Sequence, residues 1–334
     1  MKRLFIIIAS LSMLLSVYAN EPIKQVIFII GDGMGLNQMC KLDSPNHFER
    51  ANYIGLSKTY SASHKVTDSA AGGTALACGV KTNNGMLGMN ADSVAVNSIL
   101  NILGKQGFST GIVASCRINH ATPASYYAHQ INRGMDAEIL EDLYANGPDV
   151  FVAGGNKLLS IEKLEKAGYK YVNNIGDLQA QENGKVACVL ATEDMPNALE
   201  RGNEITLGTA EAIRLLEKNE KGFFLMIEGS QIDWAGHDNN ADYMLAEMQD
   251  INKVIGLCFD YADANPGTLV IITADHETGG TTIVGENKDY KYTTGDHTGA
   301  MVPVYSYGTG ADNFSGIFEN TTFKDKILNL LQGK

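Results

Sequence analysis

The chain has 334 residues, of which 44% are hydrophobic and 19% are charged, and its formal net charge is −12. This length and composition are typical of a globular α/β protein and allow one large domain. The negative charge disfavours binding to nucleic acid or to an anionic membrane surface, so an anionic substrate would need a local source of positive charge.

Residues 1–19 have the pattern of a secretory signal peptide. Lys2 and Arg3 precede an apolar run that ends in the small-residue pattern Val17-Tyr18-Ala19. The run is short for a membrane-spanning helix, so a retained membrane anchor is the weaker alternative. We therefore expect cleavage near Ala19, a periplasmic or secreted protein with no membrane association after cleavage, and a single domain over residues 20–334.

The elements that follow alternate between apolar β-branched runs and helical patterns, which predicts a mostly parallel sheet flanked by helices. The predicted strands are 25–30, 110–114, 150–153, 223–227 and 268–273. The predicted helices are 92–105, 209–219 and 241–262. Two stretches, about 171–203 and 281–296, are predicted to leave the sheet.

The first predicted strand ends in the segment GDGMG, which contains Asp32. A dinucleotide-binding turn needs the pattern GxGxxG, and a carboxylate inside it would repel a pyrophosphate. An acidic residue at a strand end, with glycines keeping other side chains clear, favours a metal ligand instead.

The segment VTDSAAGGTA places Ser69 after Asp68, at what resembles the first turn of a helix. Asp-Ser is a common helix cap, which is one interpretation of this pair. The alternative is a nucleophile, although no GxSxG elbow or Ser-His pair is present to activate the hydroxyl. A bound metal ion and the helix N-terminus would lower the hydroxyl pKa in their place.

Further candidate ligands follow the strand FFLMI. Glu228 comes directly after it, and Asp233 and His237 follow at i, i+4 spacing. Residues four apart lie on the same face of a helix, as a chelating pair requires. The sequence therefore predicts a metal-binding pair one helical turn apart.

The strand LVIIT is followed by Asp275 and His276, and the segment GDHTG contains His297. Carboxylates gathered at the carboxyl edge of one sheet would repel each other, and divalent cations resolve that repulsion. Mixed aspartate and histidine ligands suit zinc, while oxygen ligands around Glu228 and Thr122 suit magnesium.

The segment VTDSAAGGTALACGVKTNNGMLGM resembles the nucleophile segment of the alkaline phosphatase family, and the motifs from IFIIGDGMG to HTG occur in the family's order. The resemblance implies a three-layer alkaline-phosphatase-like fold, a large mostly parallel central sheet flanked by helices, and one catalytic domain over 20–334. It also implies hydrolysis of phosphate monoesters through a phosphoserine, with release of inorganic phosphate and with two Zn²⁺ and one Mg²⁺ per chain.

By resemblance, the catalytic residues are Ser69, the phosphorylated nucleophile, and Arg133, which clamps the phosphate. The metal ligands implied are Asp32, Ser69, Asp275 and His276 for one zinc, Asp233, His237 and His297 for the other, and Asp32, Thr122 and Glu228 for magnesium. His120 and Trp234 are substrate-binding candidates that stand where many members have an aspartate and a lysine. These two departures leave the identity of the third metal open.

Several alternatives remain at this level. Related sulfatases need a Cys/Ser-x-Pro-x-Arg segment, which the residues from Ser69 to Gly73 lack, and related diesterases use a threonine nucleophile. A noncatalytic periplasmic phosphate- or zinc-binding protein would not need the serine. A homodimer is an expectation from the family, while the natural substrate and pH optimum stay open.

The five cysteines show no metal-binding pattern. They are odd in number and no two have CxxC spacing. We expect most of them to be small buried apolar residues, and leave one disulfide as an open alternative.

Overall fold

The computed structural model describes residues 22–286 and 289–333, in which a ten-stranded sheet lies between two layers of helices. The strands are β1 Gln25–Gly31, β2 Tyr53–Lys58, β3 Ser109–Arg117, β4 Val150–Gly154, β5 Tyr169–Val172, β6 Lys185–Ala191, β7 Phe223–Gly229, β8 Thr268–Thr273, β9 Glu277–Thr278, β10 Thr282–Val284, β11 Asp289–Lys291, β12 His297–Thr298, β13 Val302–Gly308 and β14 Gly316–Glu319. The helices are α1 Ser69–Cys78, α2 Ile99–Lys105, α3 Ala121–Ala124, α4 Asp136–Asn146, α5 Ile161–Lys166, α6 Ile175–Gln179, α7 Ala198–Arg201, α8 Glu204–Leu216, α9 Gln231–His237, α10 Ala241–Ala264 and α11 Thr322–Leu331. Short 3₁₀ turns span Gln38–Lys41, His47–Arg50 and Ala311–Phe314.

The strand order of the sheet is β14-β2-β13-β8-β1-β7-β3-β4-β6-β5. All neighbouring strands are parallel except β13, which runs antiparallel to β2 and β8. In the central strand, Ile30 pairs with Glu228 of β7 on one side and with Thr273 of β8 on the other. The carboxyl ends of these three strands therefore meet at the same edge, and the predicted fold class is confirmed.

Side-chain alternation in β1 divides the core into two layers. Val26 and Phe28 face a cluster that includes residues of α1, α2, α4 and α11, and the Phe28 ring meets Phe323 edge-on at 5.4 Å between centroids. Ile27 and Ile29 face the opposite cluster, built from α8, α9 and α10. Because both faces of the strand are covered, β1 is apolar without interruption, as parallel strands buried on two sides require.

The five predicted strands are confirmed, but the helix predicted over 92–105 is wrong in its first half, because α2 begins only at Ile99. The side-chain oxygen of Asn90 accepts hydrogen bonds from the backbone N–H groups of Asp92 and Val94, both at 3.0 Å. This local turn competes with helix formation. Ser98 then caps α2 by accepting a hydrogen bond from the backbone of Asn101 at 3.1 Å.

The stretch 171–203 was expected to leave the sheet, and this prediction is wrong in part. Its middle forms β6, which pairs with β4 and β5 inside the main sheet. The stretch 281–296 does leave the sheet, since β10 and β11 pair only with each other in a separate antiparallel hairpin. The helix predicted over 209–219 lies one turn earlier, as α8, while α10 confirms the helix predicted over 241–262.

The predicted signal peptide, 1–19, lies outside the described residues. Among the helices that are described, none has both the length and the apolar character needed to cross a bilayer. All five cysteines are described and all are free thiols, so the disulfide alternative is not realised. Four of them are buried and Cys40 is exposed.

Candidate active site

Three carboxylates lie at the centre of the sheet's carboxyl edge, and we call them the strand-end cluster. Asp32 follows β1, Glu228 lies in β7 and Asp275 follows β8 by one residue. The side chains of all three are fully buried. The structure thus brings together three predicted metal ligands from three separate strands.

Helix α1 brings Ser69 to this edge. Asp68 caps the helix, since its Oδ1 accepts a hydrogen bond from the backbone of Ala71 at 2.9 Å. A Cβ atom at Gly72 would lie only 3.0 Å from the Cβ and the carbonyl oxygen of Asp275, so glycine allows the helix to approach the strand end closely. The capping interpretation of Asp68 is confirmed, and the hydroxyl of Ser69 lies at the same edge of the sheet as the cluster.

His276 joins Ser69 to two members of the strand-end cluster. Its Nε2 atom lies 3.2 Å from Ser69 Oγ, 3.3 Å from Asp32 Oδ1 and 3.4 Å from Asp275 Oδ2. Atoms of Asp32, Asp275 and His276 that could act as ligands lie within 4.8 Å of one another. These separations allow one cation to contact all three, with the serine hydroxyl beside it.

A second group of predicted ligands lies beside the first. Asp233 Oδ2 is 3.4 Å from His237 Nε2, as the i, i+4 spacing in α9 predicts, and Asp233 Oδ1 is 3.5 Å from His297 Nε2. The two imidazole Nε2 atoms are 3.2 Å apart. His297 reaches this place because β12 pairs with β9, where it lies opposite Thr278.

The predicted magnesium ligands form a third group around Asp32. Thr122, in α3, donates a hydrogen bond from its hydroxyl to Asp32 Oδ2 at 3.4 Å. Glu228 lies in the neighbouring strand, and its Oε2 accepts a hydrogen bond from the thiol of Cys116 at 3.3 Å. Asp32 therefore contacts both the group around Ser69 and the group around Glu228.

Arg133 lies close to Asp68, the residue that directly precedes Ser69. One guanidinium nitrogen is 3.8 Å from Asp68 Oδ2, and another donates to His120 Nε2 at 3.2 Å. The His120 ring meets the Trp234 ring edge-on at 6.0 Å. Arg133, His120 and Trp234 thus form one connected group beside Asp68, the residue that caps α1.

The strand-end cluster does not contain its own counter-charge. Burial, and then repulsion from neighbouring acids, raises the pKa of Asp32 well above its ordinary value and the pKa of Asp275 to about 8. Burial also raises the pKa of Glu228 to about 7. One oxygen of each, Asp32 Oδ1, Glu228 Oε1 and Asp275 Oδ2, is buried without a hydrogen-bond partner in the described chain. Cations fit this arrangement, because they would pair these oxygens and offset the repulsion.

The imidazoles have distinct electrostatic environments. A hydrogen bond to Asp233 raises the pKa of His237 to about 9, against the effect of burial. Burial would raise the pKa of Asp233, but the same hydrogen bond helps to lower it. Burial and the neighbouring His297 hold the pKa of His276 well below its ordinary value. His276 is therefore neutral and has a nitrogen lone pair to offer, whereas a cation binding His237 would have to displace a proton from it.

Sequence reasoning missed Thr278, which links the two aspartate-histidine groups. Its hydroxyl is 2.5 Å from Asp233 Oδ1 and 3.2 Å from His276 Nδ1. A hydroxyl has one proton, and a carboxylate can only accept a hydrogen bond. The Thr278 hydroxyl therefore donates its hydrogen bond to Asp233. His276 must then donate from Nδ1, which leaves the lone pair on Nε2, the atom that faces Ser69.

The space for Thr278 comes from a glycine in the first motif. Gly33 has a φ of +73°, and a Cβ atom there would lie 2.8 Å from Thr278 Oγ1 and 2.8 Å from Asp233 Cα. Two sequence signals point to this threonine: it lies two residues after His276, and a glycine pair follows it.

Known proteins resemble this chain over most of its length. Residues 23–148 and 149–293 match a family model described as alkaline phosphatase. Alkaline phosphatase 3 of Bacillus subtilis is 30% identical, over 94% of this chain and 90% of its own length.

Among solved structures, alkaline phosphatase from the Antarctic bacterium TAB5 superposes with a TM-score of 0.89 at 37% identity, covering 93% of this chain and 98% of its own. A mutant of that enzyme, with Mg bound in its M3 site, has a TM-score of 0.87 at 36% identity and covers 93% and 99% of the two chains.

Proposed function

Because the chain belongs to the alkaline phosphatase family, we propose that it hydrolyses phosphate monoesters through a phosphoserine on Ser69 and releases inorganic phosphate. Family membership identifies an alkaline phosphatase enzyme, with metal-dependent phosphomonoester hydrolysis as its class of activity. The intermediate, the individual ligands and the number of ions belong to the proposal.

The observation that carries the proposal is the position of one hydroxyl. Ser69 is the first residue of α1, and its Oγ lies 3.2 Å from His276 Nε2, beside the buried oxygens of Asp32 and Asp275. A noncatalytic binding protein has no need of a nucleophile at this point. The helix N-terminus further favours an anionic serine and an incoming phosphate.

We propose that this chain holds two Zn²⁺ and one Mg²⁺. The ligands of the first zinc would be Asp32, Ser69, Asp275 and His276; those of the second, Asp233, His237 and His297; and those of magnesium, Asp32, Thr122 and Glu228. When bound, the cations supply Lewis-acid chemistry, lowering the pKa of hydroxyl and water and stabilising the leaving oxygen. The buried oxygens without partners in all three carboxylates of the strand-end cluster support this assignment.

In this proposal the serine reacts and the neighbouring side chains bind and orient the phosphate. The oxygen of Ser69 attacks phosphorus in line with the leaving alkoxide, the phosphorus–alkoxide bond breaks as the phosphoserine forms, and the serine proton passes through solvent to the departing alcohol. Water then attacks phosphorus from the vacated side and breaks the bond to Ser69, so that one water proton returns to the serine and inorganic phosphate leaves. The Arg133 guanidinium, already oriented by His120 at 3.2 Å, binds two phosphate oxygens. Trp234 and His120 border the phosphate group.

The test is Ser69→Ala with p-nitrophenyl phosphate as substrate. We expect phosphate release to fall at least roughly 10³-fold, because the nucleophile is removed, while zinc content measured by metal analysis persists. Ser57→Ala is the matched control, since Ser57 is fully buried on β2 and its hydroxyl has no partner in the described chain. Equal rates for wild type and Ser69→Ala would overturn the mechanism.

A panel of esters separates the related activities. We expect turnover of phosphate monoesters to exceed that of diesters and sulfate esters, and a preference for diesters or sulfates would contradict the substrate class. We also propose export with cleavage after residue 19, which N-terminal sequencing of the mature protein would test. The homodimer remains a prediction for sedimentation analysis.

A further inference from the structure

A further buried carboxylate, that of Glu277, directly follows His276 and is not among the proposed ligands. Its Oε1 accepts hydrogen bonds from the backbone N–H of Thr281 at 2.9 Å and from the side-chain amide of Gln38 at 3.0 Å. Its Oε2 accepts a hydrogen bond from the hydroxyl of Thr298. Both oxygens therefore have partners, unlike those of the strand-end cluster, and all three donors are neutral.

Glu277 and Thr278 form the two-residue strand β9, and neighbouring side chains of a strand point to opposite faces. Thr278 contacts Asp233, so Glu277 points away from the zinc groups. In the antiparallel partner β12, His297 pairs with Thr278, and Thr298 pairs with Glu277. One face of this ladder therefore carries the imidazole to Asp233, while the other face carries the hydrogen bond between Glu277 and Thr298.

A ladder of two residues in each strand has few backbone contacts to fix its register. A slip by one residue turns the side chains of a strand to the other face, which here would take His297 away from Asp233. The hydrogen bond between Glu277 and Thr298 opposes this slip, because it joins the two strands on the face opposite the imidazole. His297 also donates from Nδ1 to the carbonyl oxygen of Thr67 at 2.9 Å, which leaves the lone pair on Nε2.

Gln38 connects the same carboxylate to the loop that follows β1. Its Nε2 atom is 3.0 Å from Glu277 Oε1 and 3.3 Å from the carbonyl oxygen of Gly33. A Cβ atom at Gly35 would overlap Glu277 Cγ, so the last glycine of the segment GDGMG lets this loop pack directly against the side chain. Glu277 thus joins the ladder to the loop that contains Asp32.

We propose that Glu277 is a positioning residue, which fixes the register of β9 and β12 and so holds His297 in place as a ligand of the second zinc. The inference rests on the proposed function in taking His297 as a ligand of that ion. The contribution of Glu277 is geometric. A neutral side chain with the same shape and the same hydrogen bonds should therefore serve equally well.

The variants Glu277→Gln and Glu277→Leu separate shape from charge. The glutamine oxygen can accept from Gln38 and Thr281, and its amide can donate to the hydroxyl of Thr298, which is also able to accept. Leucine removes all three contacts. We expect Glu277→Leu to bind the second zinc about 10–100-fold more weakly, and Glu277→Gln to bind it with wild-type affinity.

Zinc affinity is measured on the metal-free full chain in competition with a chromophoric chelator, with Mg²⁺ held at saturation. His297→Ala identifies the binding step of the second zinc, because it removes a ligand of that ion. In the His297→Ala background, Glu277→Leu should cause no further loss at the remaining zinc. A further loss there would contradict the proposal, since the side chain would then support the first zinc.

Glu247→Leu is the matched control for stability. Glu247 is also a buried carboxylate, but it contacts Arg201 and the backbone N–H of Ala198, on helices that supply no proposed ligand. We expect this variant to melt at a lower temperature and to keep wild-type zinc affinity. An equal loss of zinc affinity in Glu247→Leu and Glu277→Leu would overturn the proposal, because general destabilisation would then explain both.

Thr298→Val tests the same contact if Glu277→Leu fails to fold. It removes the donor to Glu277 Oε2 and leaves the contacts of Oε1 in place. We expect a loss of affinity for the second zinc that is smaller than the loss in Glu277→Leu. Wild-type affinity in either variant would refute the positioning role, as would a loss in Glu277→Gln as large as that in Glu277→Leu.

The outcome is separable from that of the proposed function. Zinc affinity is measured without substrate, so the result does not depend on whether Ser69 is the nucleophile. Normal hydrolysis by the wild type, combined with wild-type zinc affinity in Glu277→Leu, would refute this inference alone. Unchanged zinc binding in His297→Ala would refute the ligand assignment of the proposed function, and this inference with it.

Discussion

Buried acids are compensated differently in two parts of the molecule. One is the strand-end cluster, and the other, which we call the arginine cluster, consists of Arg201, Glu247 and Asp250. In the arginine cluster the guanidinium of Arg201 contacts both carboxylates, with Nη1 3.0 Å from Glu247 Oε1 and Nη2 2.8 Å from Asp250 Oδ2. The side chains of all three are at most 4% exposed. Here the chain supplies its own counter-charge.

In the strand-end cluster no lysine or arginine of the described residues contacts the acids in the same way. The pKa of Glu247 is raised by burial but lowered by Arg201, whereas at Asp32 the neighbouring acids add to the effect of burial and Arg133 only partly opposes it. This difference in electrostatic environment distinguishes a charge group with a structural role from one that can bind a cation. A buried group to which the chain supplies a guanidinium stabilises one conformation, while a group of acids without one creates demand for a cation.

Removing the cations should give the largest effect. After chelation, verified by metal analysis, we expect turnover of p-nitrophenyl phosphate to fall at least roughly 10³-fold, because neither serine nor leaving group retains electrostatic support. The melting temperature should fall as well, because the buried acids again repel. Zinc plus magnesium should restore both. Full turnover by verified metal-free protein would contradict the comparison.

Breaking the arginine cluster should affect stability instead. We expect Arg201→Met to lower the free energy of unfolding in urea by about 3–5 kcal/mol, because two buried acids lose their counter-charge. Turnover per folded molecule should not change. As a control, the triple variant Arg201→Met, Glu247→Leu, Asp250→Leu should recover most of the loss. A triple variant no more stable than the single one would show that the ion contacts were not the cause.

The pH dependence of the metal-free protein should have an unusual sign. Burial first, and then other acids, raise the pKa of Asp275 from 3.8 to about 8, and burial raises that of Glu228 from 4.5 to about 7. Between the ordinary pKa and the raised pKa of each carboxyl group, the folded state binds more protons than the unfolded state. The stability of the folded state therefore falls as pH rises. We expect a lower melting temperature at pH 8 than at pH 5.5 after chelation.

The same melts on the zinc- and magnesium-loaded protein are the control for this trend. Bound cations keep the carboxylates ionised, so the fall between pH 5.5 and pH 8 should disappear. Identical slopes with and without metal would mean that the strand-end cluster does not govern this part of the pH profile.

The smallest predicted effect concerns the threonine that joins the two zinc groups. Thr278→Val keeps the shape but removes the hydroxyl between Asp233 and His276, and we expect zinc affinity to fall about 10–100-fold in competition with a chromophoric chelator. Thr278→Ser should retain wild-type affinity. Thr273→Val is the matched control, since its buried hydroxyl donates only to the carbonyl of Pro303. Equal affinities for Thr278→Val and Thr273→Val would exclude a positioning role.

The sequence predicted the strands and most ligand candidates because those signals are local. Asp32, Glu228 and Asp275 follow or end apolar β-branched runs, and parallel strands carry such residues to one edge without further information. The i, i+4 pair of Asp233 and His237 likewise depends on a single helical turn.

The features that were missed depend on contacts between distant segments. The partners of Arg201 lie on another helix, and nothing near it in sequence marks it as buried. The contact between Cys116 and Glu228 was also missed, because it arises only when β3 and β7 pair. β6 was missed because the stretch 171–203 was interpreted as an excursion from the sheet, whereas its middle pairs with β4 and β5.

His297 lies close to Asp233 because two very short strands, β9 and β12, pair with each other. The strands β9 and β12 are two residues each, and between them the chain forms the separate β10–β11 hairpin. The ladder closes that intervening stretch at its base, so we expect changes in the length of the stretch to leave the imidazole in place. The approach of His297 to Asp233 should therefore tolerate insertions in the chain between its two short strands.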